Sequence, residues 1–205
     1  MNKSVAAEIR PVRPEDLEAI YEIALKTGAN GEDATALYAD PRLVGHIYAA
    51  PYALLAPDCA FVAEDGEGVG GYILGALDTR AFEARLEAEW WPPLRRLHDD
   101  PAAPPQTWSA DELRQHMIHH PYVTPARVVE RHPSHLHINL LPRLQGRGFG
   151  RRLMDRWLAH MSELGSPGVH LGVGTPNARG RAFYEAYGFT LLEENSRTAW
   201  YGLAL

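Results

Sequence analysis

The chain has 205 residues, one cysteine and a formal charge of −6, a size that suits one domain carrying an elaboration. No stretch approaches the roughly 18 apolar residues of a membrane span, so a soluble protein with no membrane partner is expected. The net charge argues against a general nucleic-acid binder and leaves room only for a local basic patch.

The opening "MNKSVAAEIRPVRPEDLEAI" reaches acids and prolines before an apolar core of a leader can form, so no secretory signal is expected. Cys59 is alone, which fits a reducing, cytoplasmic setting. "EIRPVRPEDLEAIYEIALKTG" predicts a short strand near Glu8 to Pro11, then a helix opened by Pro14, with Glu15 and Asp16 in its first turn and Gly28 as its stop. A second helical stretch is expected over about Arg42 to Ala50. "CAFVAEDGEGVGGYILGALD" reads as a hairpin, two apolar runs around the turn-rich "EDGEG".

Residues 79 to 131 carry the weakest pattern. "TRAFEARLEAEWW" looks helical up to Pro92, "HDDPAAPPQT" is a Pro-rich loop, and Ser109 caps a helix with Asp111 and Glu112 behind it. The stretch is expected to be a helical insertion inside one domain covering residues 1 to 205. "SHLHINLL" alternates His135, His137 and Asn139 against Leu136, Ile138 and Leu140, the mark of a strand with one polar and one apolar face.

Apolar residues from Phe149 to Leu164 follow helical spacing and end at Gly165. "GVHLGV" is a further strand. "TPNARGRAFYEAYG" predicts a helix with Thr175 as N-cap and Gly188 past its end, with Phe183, Ala182 and Ala186 turned inward. "FTLLEE" and "TAWYGLAL" look like a closing antiparallel pair.

The junction "QGRGFGRRLM", residues 145 to 154, carries most of the chemistry. Gly146, Gly148 and Gly150 allow a tight turn and a close backbone approach, while a helix starting near Arg147 offers unpaired N–H groups and a positive dipole end. Such a cluster is often only a loop, and arginines are often a solvated face. Here, though, Arg147, Arg151 and Arg152 fill the first two turns, with no acid before Asp155, where acids are favoured. These cations need an anionic guest. A dinucleotide fingerprint fails because Arg151 stands where glycine is required, and a Walker loop fails for want of Gly-Lys-Ser/Thr.

Gln145, Gly148 and Gly150, between a strand and a helix, match Gln/Arg-x-x-Gly-x-Gly/Ala. In this the chain resembles the GNAT superfamily of N-acetyltransferases. "NARGRAFYEAYGF" resembles that family's second pattern at Asn177, Tyr184, Gly188 and Phe189, with Gly180 in place of the usual Ala. The phrases "RAFEARLEAEWWPPLRRL", "HLHINLLPRLQGRGFGRRLM" and "GSPGVHLGVGTPN" are similar to stand-alone bacterial relatives of the acetyltransferase-like C-terminal domain of O-GlcNAcases. No glycosidase is implied, because 205 residues leave no space for a barrel of about 250.

The resemblance implies the GNAT fold, α+β, with a mixed, mostly antiparallel sheet flanked by helices and two central strands diverging near Leu141 and Val173. It implies acetyl-CoA as co-substrate, its pyrophosphate on the backbone of Gln145, Gly146, Arg147, Gly148, Phe149, Gly150 and Arg151, with Asn177 alongside. The pantetheine arm would pair with the strand edge at Leu140 and Leu141, and an N–H there would receive the developing oxyanion. Tyr184 would protonate the leaving thiolate. For the base, the strand offers His135 and His137 in place of the carboxylate that relatives often use, with Asp78 at the end of the preceding strand as a further candidate.

Each role has a plainer counterpart: a helix Tyr is usually a packing residue, and a sheet-face His is usually hydrogen-bonded to its surroundings. His116, His119 and His120 share a helical face that could ligate zinc, but no Cys or HExxH pattern accompanies them, so no metal is expected. Trp90, Trp91 and Trp108 read as core or lid contacts, or as an acceptor-pocket lining. Two functions follow: an N-acetyltransferase acting on a small amine or a protein amino group, and a non-catalytic acetyl-CoA-binding or interaction module. The sequence leaves the acceptor and the oligomeric state open.

Overall fold

The computed structural model describes residues 8–205. The reading of Met1 to Ala7 as free of a leader lies outside the described residues. No described helix is long and apolar enough to cross a membrane.

Strand β1 (Glu8–Pro11) leads through a 3-10 turn, Pro14–Asp16, into α1 (Leu17–Lys26). The Asp16 carboxylate, only 4% exposed, accepts from the Arg10 guanidinium at 2.7 and 2.8 Å and from the Arg13 N–H at 2.7 Å, which pins the helix start to the strand. After α2 (Leu43–Tyr48) and α3 (Ala50–Leu55) come β2 (Ala60–Asp65) and β3 (Gly68–Ala76). The insertion holds α4 (Thr79–Arg85), a π-helical turn (Leu86–Trp90), α5 (Trp91–Leu97), α6 (Ala110–His119) and α7 (Ala126–Val129). The chain closes with β4 (Ser134–Leu140), α8 (Phe149–Glu163), β5 (Gly168–Gly174), α9 (Ala178–Tyr187), β6 (Thr190–Glu194) and β7 (Thr198–Ala204).

The strands form one seven-stranded sheet in the order β1-β2-β3-β4-β5-β7-β6. All pairs are antiparallel except β4 with β5. This is the mixed, mostly antiparallel α+β sheet that the resemblance implies. Alternation along the strands sends Val62, Tyr72 and Leu74 to one face, where α1, α2, α3 and the insertion residues Phe82, Leu86, Trp91 and Ile118 share a core. Phe61, Ile73 and Leu136 go to the other face, under Leu153, Met154 and Trp157 of α8. His135, His137 and Asn139 therefore face the insertion side.

Five local expectations are corrected. The helix expected from Arg42 to Ala50 is two helices broken at Ala49, because Pro51 lacks an N–H and its ring would meet the carbonyl four residues back. Helix does not stop at Pro92: Pro92 and Pro93 lie in the first turn of α5, where a missing N–H costs nothing. Helix α8 begins at Phe149 rather than near Arg147, since Gly146 and Gly148 take left-handed φ values of 68° and 82°. Asn177, not Thr175, caps α9, its Oδ1 accepting from Gly180 N–H at 2.8 Å while Thr175 Oγ1 donates to Asn195 O. The stripe of α9 is also narrower than expected: Phe183, Tyr184 and Tyr187 pack on the core, and Ala182 and Ala186 are exposed.

Trp157 fixes α8 on the sheet. Its indole N–H donates to Cys59 O at 2.9 Å, and its ring occupies the space beside Gly75. A Cβ on Gly75 would lie 2.5 Å from Trp157 Cζ2 and closer still to His135 O. Gly75→Ala is expected to lower stability by roughly 1–3 kcal/mol, the usual cost of overpacking. The measurement is a reduced urea midpoint at unchanged slope; an unchanged midpoint would show that this contact is not tight.

Candidate active site

Strands β4 and β5 pair only at Ser134 with Val169 and His135 with His170, then part. The N–H of Leu141 donates to Gly70 O at 2.8 Å, so by the alternation of an antiparallel ladder the backbone groups of Ile138 and Leu140 turn the other way, into the gap. The Leu140 carbonyl there accepts from Gln145 Nε2 at 2.7 Å. A cavity of about 1720 Å³ opens from this gap and joins Leu140, Gln145, Gly148, Asn177, Tyr184 and His137 in one wall.

At one end of the cavity lies the N-terminus of α8. Its first intrahelical backbone bond is Arg152 N–H to Gly148 O, so the N–H groups of Phe149, Gly150 and Arg151 have no acceptor within the helix. No acid stands in its first turn. Arg147 and Arg152 lie over the Phe149 ring at 5.7 and 4.9 Å, and Arg151 lies over Tyr187 at 5.6 Å. None of the three has a carboxylate partner among the described residues. Helix α9 follows alongside, with Gly180 so close to its cap that a Cβ there would sit 2.9 Å from Asn177 Nδ2.

The Tyr184 hydroxyl has no side-chain partner among the described residues, and burial pushes its pKa above the usual phenol value. It is a protonated group opening on the gap.

At the other end, Tyr52 stands between two histidines, its hydroxyl 3.0 Å from His135 Nε2 and 3.1 Å from His137 Nε2. Thr79 settles the proton positions. Its one hydroxyl proton goes to Pro133 O at 2.6 Å, so it accepts from His135 Nδ1 at 2.8 Å. His135 Nε2 is then the acceptor for the Tyr52 O–H, and the Tyr52 oxygen accepts from His137 Nε2–H. The lone pair of His137 is left on Nδ1. Burial, with the neighbouring His170, pushes His137 down to about 4. His135 is held well below its ordinary value by burial and by His170 and His137. His170, only 1% exposed, donates from Nδ1 to His132 O at 2.6 Å, and burial lowers it to about 4. This wall is neutral at pH 7.

The family model described as the Acetyltransferase (GNAT) family matches residues 9–189. The chain belongs to the GNAT acetyltransferase family. SsHAT, a solved structure, is 38% identical with a TM-score of 0.89, covering 97% of this GNAT chain and 98% of its own. The Protein O-GlcNAcase of Rattus norvegicus is 23% identical over 180 residues, 88% of this chain and 20% of its own length, so the chain spans about a fifth of that relative. A phosphinothricin acetyltransferase of Sinorhizobium meliloti, solved in complex with AcCoA, shares the fold at 18% identity and a TM-score of 0.59, over 97% of this chain and 88% of its own.

Within the GNAT fold, four of the anticipated residues do not line the cavity with their side chains. Asp78 is exposed and caps α4, accepting from Ala81 N–H at 2.9 Å. Leu141 spends its N–H on Gly70. Arg147 is exposed and donates to Arg143 O. The Phe149 side chain is in the core beneath α8. The face shared by His116, His119 and His120 is divided: His116 Nδ1 and His120 Nε2 bond the two oxygens of Asp100 at 3.0 and 2.7 Å, while His119 Nε2 bonds His98 O. Trp91 is core and Trp108 edges the cavity beside His116, whereas Trp90 donates to His46 O. Tyr52, Thr79, His170 and Arg114 were missed because each sits in an unremarkable local pattern and gains its partners only from distant segments.

The neutral imidazoles tie stability to pH. Below about pH 6.5 the unfolded chain protonates these side chains, whereas the fold keeps His137 and His170 neutral down to about 4. Unfolding therefore takes up protons in that window, and stability falls as pH falls. The slope should approach about 1.4 kcal/mol per pH unit for each such histidine. Urea unfolding from about pH 6.5 to 5 measures it, and His170→Asn should remove one histidine's share; a flat profile in the parent would mean charged imidazoles in the fold.

Proposed function

We propose that this GNAT protein transfers an acetyl group from acetyl-CoA to a primary amine by direct attack on the thioester. The observation carrying this reading is one cavity in which the N-terminus of α8, the open edge of β4 and the Tyr184 hydroxyl, unpartnered among the described residues, meet. The pyrophosphate sits on the N–H groups from Gly146 to Arg151, the Gln145 N–H being spent on Pro142 O at 3.1 Å, with Arg151 as counter-charge and Asn177 holding the start of α9 beside it. The pantetheine amides pair with Ile138 and Leu140 in place of a neighbouring strand. Leu140, not Leu141, supplies the oxyanion N–H, since the latter is spent on Gly70.

The amine nitrogen attacks the carbonyl carbon, and the C–S bond breaks as the tetrahedral intermediate collapses. The departing sulfur takes the Tyr184 proton, and the nitrogen loses its proton to His137 Nδ1. With a pKa of about 4, His137 is too weak a base to deprotonate a free alkylammonium. Proton loss to it accompanies C–S cleavage, when the nitrogen becomes that of a protonated amide and is acidic enough for so weak a base, so the amine enters neutral. Tyr52 and His135 hold the imidazole in that tautomer. Asp78, exposed and committed as a cap, takes no part.

Two measurements test this. Calorimetry with acetyl-CoA should show at least about tenfold weaker binding for Gly148→Asp. Gly148→Ala controls for the φ of 82° and should lose less; equal affinity of Gly148→Asp and the parent would move the pyrophosphate elsewhere. In a thiol-release assay over an amine and peptide library, Tyr184→Phe should lose roughly 10²–10⁴-fold in turnover with acetyl-CoA affinity retained. Tight acetyl-CoA binding with no transfer by the parent to any amine would leave the non-catalytic module.

A further inference from the structure

The wall of the cavity on the insertion side carries a cation that nothing above uses. Arg114, on α6, lines the cavity. Its guanidinium donates from Nε to Tyr38 Oη at 3.0 Å, and from Nη1 to Tyr48 Oη at 3.3 Å and Met117 Sδ at 3.2 Å. All three partners are neutral. No carboxylate lies within 4.0 Å of Arg114 among the described residues, and Nη2 makes no hydrogen bond there. The two acids that the insertion brings to the cavity are already held, Glu83 by Arg80 and Glu87 by Arg95, and Glu32, from the loop after α1, also lines it.

An arginine cannot shed its charge, and a half-buried charge among aromatic rings loses hydration that neutral hydroxyls do not replace. The surroundings are apolar: Tyr48, Tyr52, Phe82, Trp91 and Met117 line the same wall. The guanidinium carbon lies 5.3 Å from the centre of the Tyr48 ring, and that ring lies 5.8 Å from His137. One aromatic ring thus separates the charge from the imidazole beside which the amine reacts. An arginine with an unused N–H edge favours oxyanions, carboxylates above all.

We propose that Arg114 forms an acceptor subsite for a carboxylate, so that the substrate is an amine bearing a carboxylate a short chain away. The proposal rests on the acetyl-transfer reading for the identity of the amine, while the anion subsite rests on Arg114 alone. The neutral histidine–tyrosine wall offers no counter-charge to an ammonium, and Arg114 repels one. Amine and carboxylate therefore enter with the carboxylate at Arg114 and the amine, in its neutral form, at the gap between β4 and β5.

The test uses the full chain and a series of ω-amino acids with two to six methylenes, each paired with the alkylamine of equal length. In thiol-release assays one length of ω-amino acid should exceed its alkylamine by roughly ten- to hundredfold in kcat/KM, as expected for one charge-assisted contact. Arg114→Gln should bring that ratio close to one, and Arg114→Lys should restore part of it. Acetyl-CoA affinity, read in parallel, reports that each variant is folded. Equal use of both series by the parent, or a ratio unaffected by Arg114→Gln, would overturn the subsite. If no amine is acetylated, calorimetry of the same ω-amino acids on CoA-saturated protein decides: Arg114-dependent binding keeps the subsite and removes the transferase reading, and no binding removes the subsite.

Discussion

The structure depends on where two strands stop pairing. Strands β4 and β5 share two residue pairs and then separate, and every feature of the cavity follows from that separation. A continuous ladder would bond the backbone of Ile138 and Leu140 to β5 and leave no space between them. The opening is held by what lies on each side. Beside β4, Leu141 is bonded to Gly70 and Gln145 to the Leu140 carbonyl. Beside β5, β7 pairs along its whole length, from Gly168 to Gly174. Each strand is thus committed outward, and an edge that would otherwise invite another chain is instead enclosed by α8, α9 and the insertion.

Charge is distributed along the cavity in a consistent way. At the N-terminus of α8, Arg147, Arg151 and Arg152 add to a helix dipole of the same sign. The middle is neutral, because burial strips protons from His135, His137 and His170 and keeps them on Tyr52 and Tyr184. On the insertion side a single arginine stands among tyrosines. Such an arrangement suits a long anionic ligand at one end and uncharged chemistry at the centre. The insertion takes part directly: Phe82, Trp91 and Ile118 sit in the same core as α1 and α3, so the wall bearing Arg114 is packed on the core that the sheet also covers.

The sequence carried the elements whose signals are local. The alternation of Ser134 to Leu140, the apolar stripe of α8, the capping box of Ser109 with Glu112 and the glycines of the junction all act within a few residues of themselves. Its failures were also local in origin. Two prolines fell in a first turn where they do no harm, and an asparagine two residues downstream competed successfully with Thr175 for the cap. Pro51 split a helix whose pattern ran across the break.

By itself the sequence determined the order of elements, the polar and apolar faces of β4 and the anion-seeking turn at residues 145 to 154, because backbone torsion and side-chain period are set by near neighbours. Only the tertiary structure decided which groups share the cavity. It joined Tyr52 to His135 and His137 across 83 and 85 residues, turned Leu141 away from the gap, withdrew Asp78 into a cap and left Arg114 without a carboxylate partner among the described residues. Proton positions and uncompensated charge arise from desolvation and from partners far apart in the chain, and no local pattern records either.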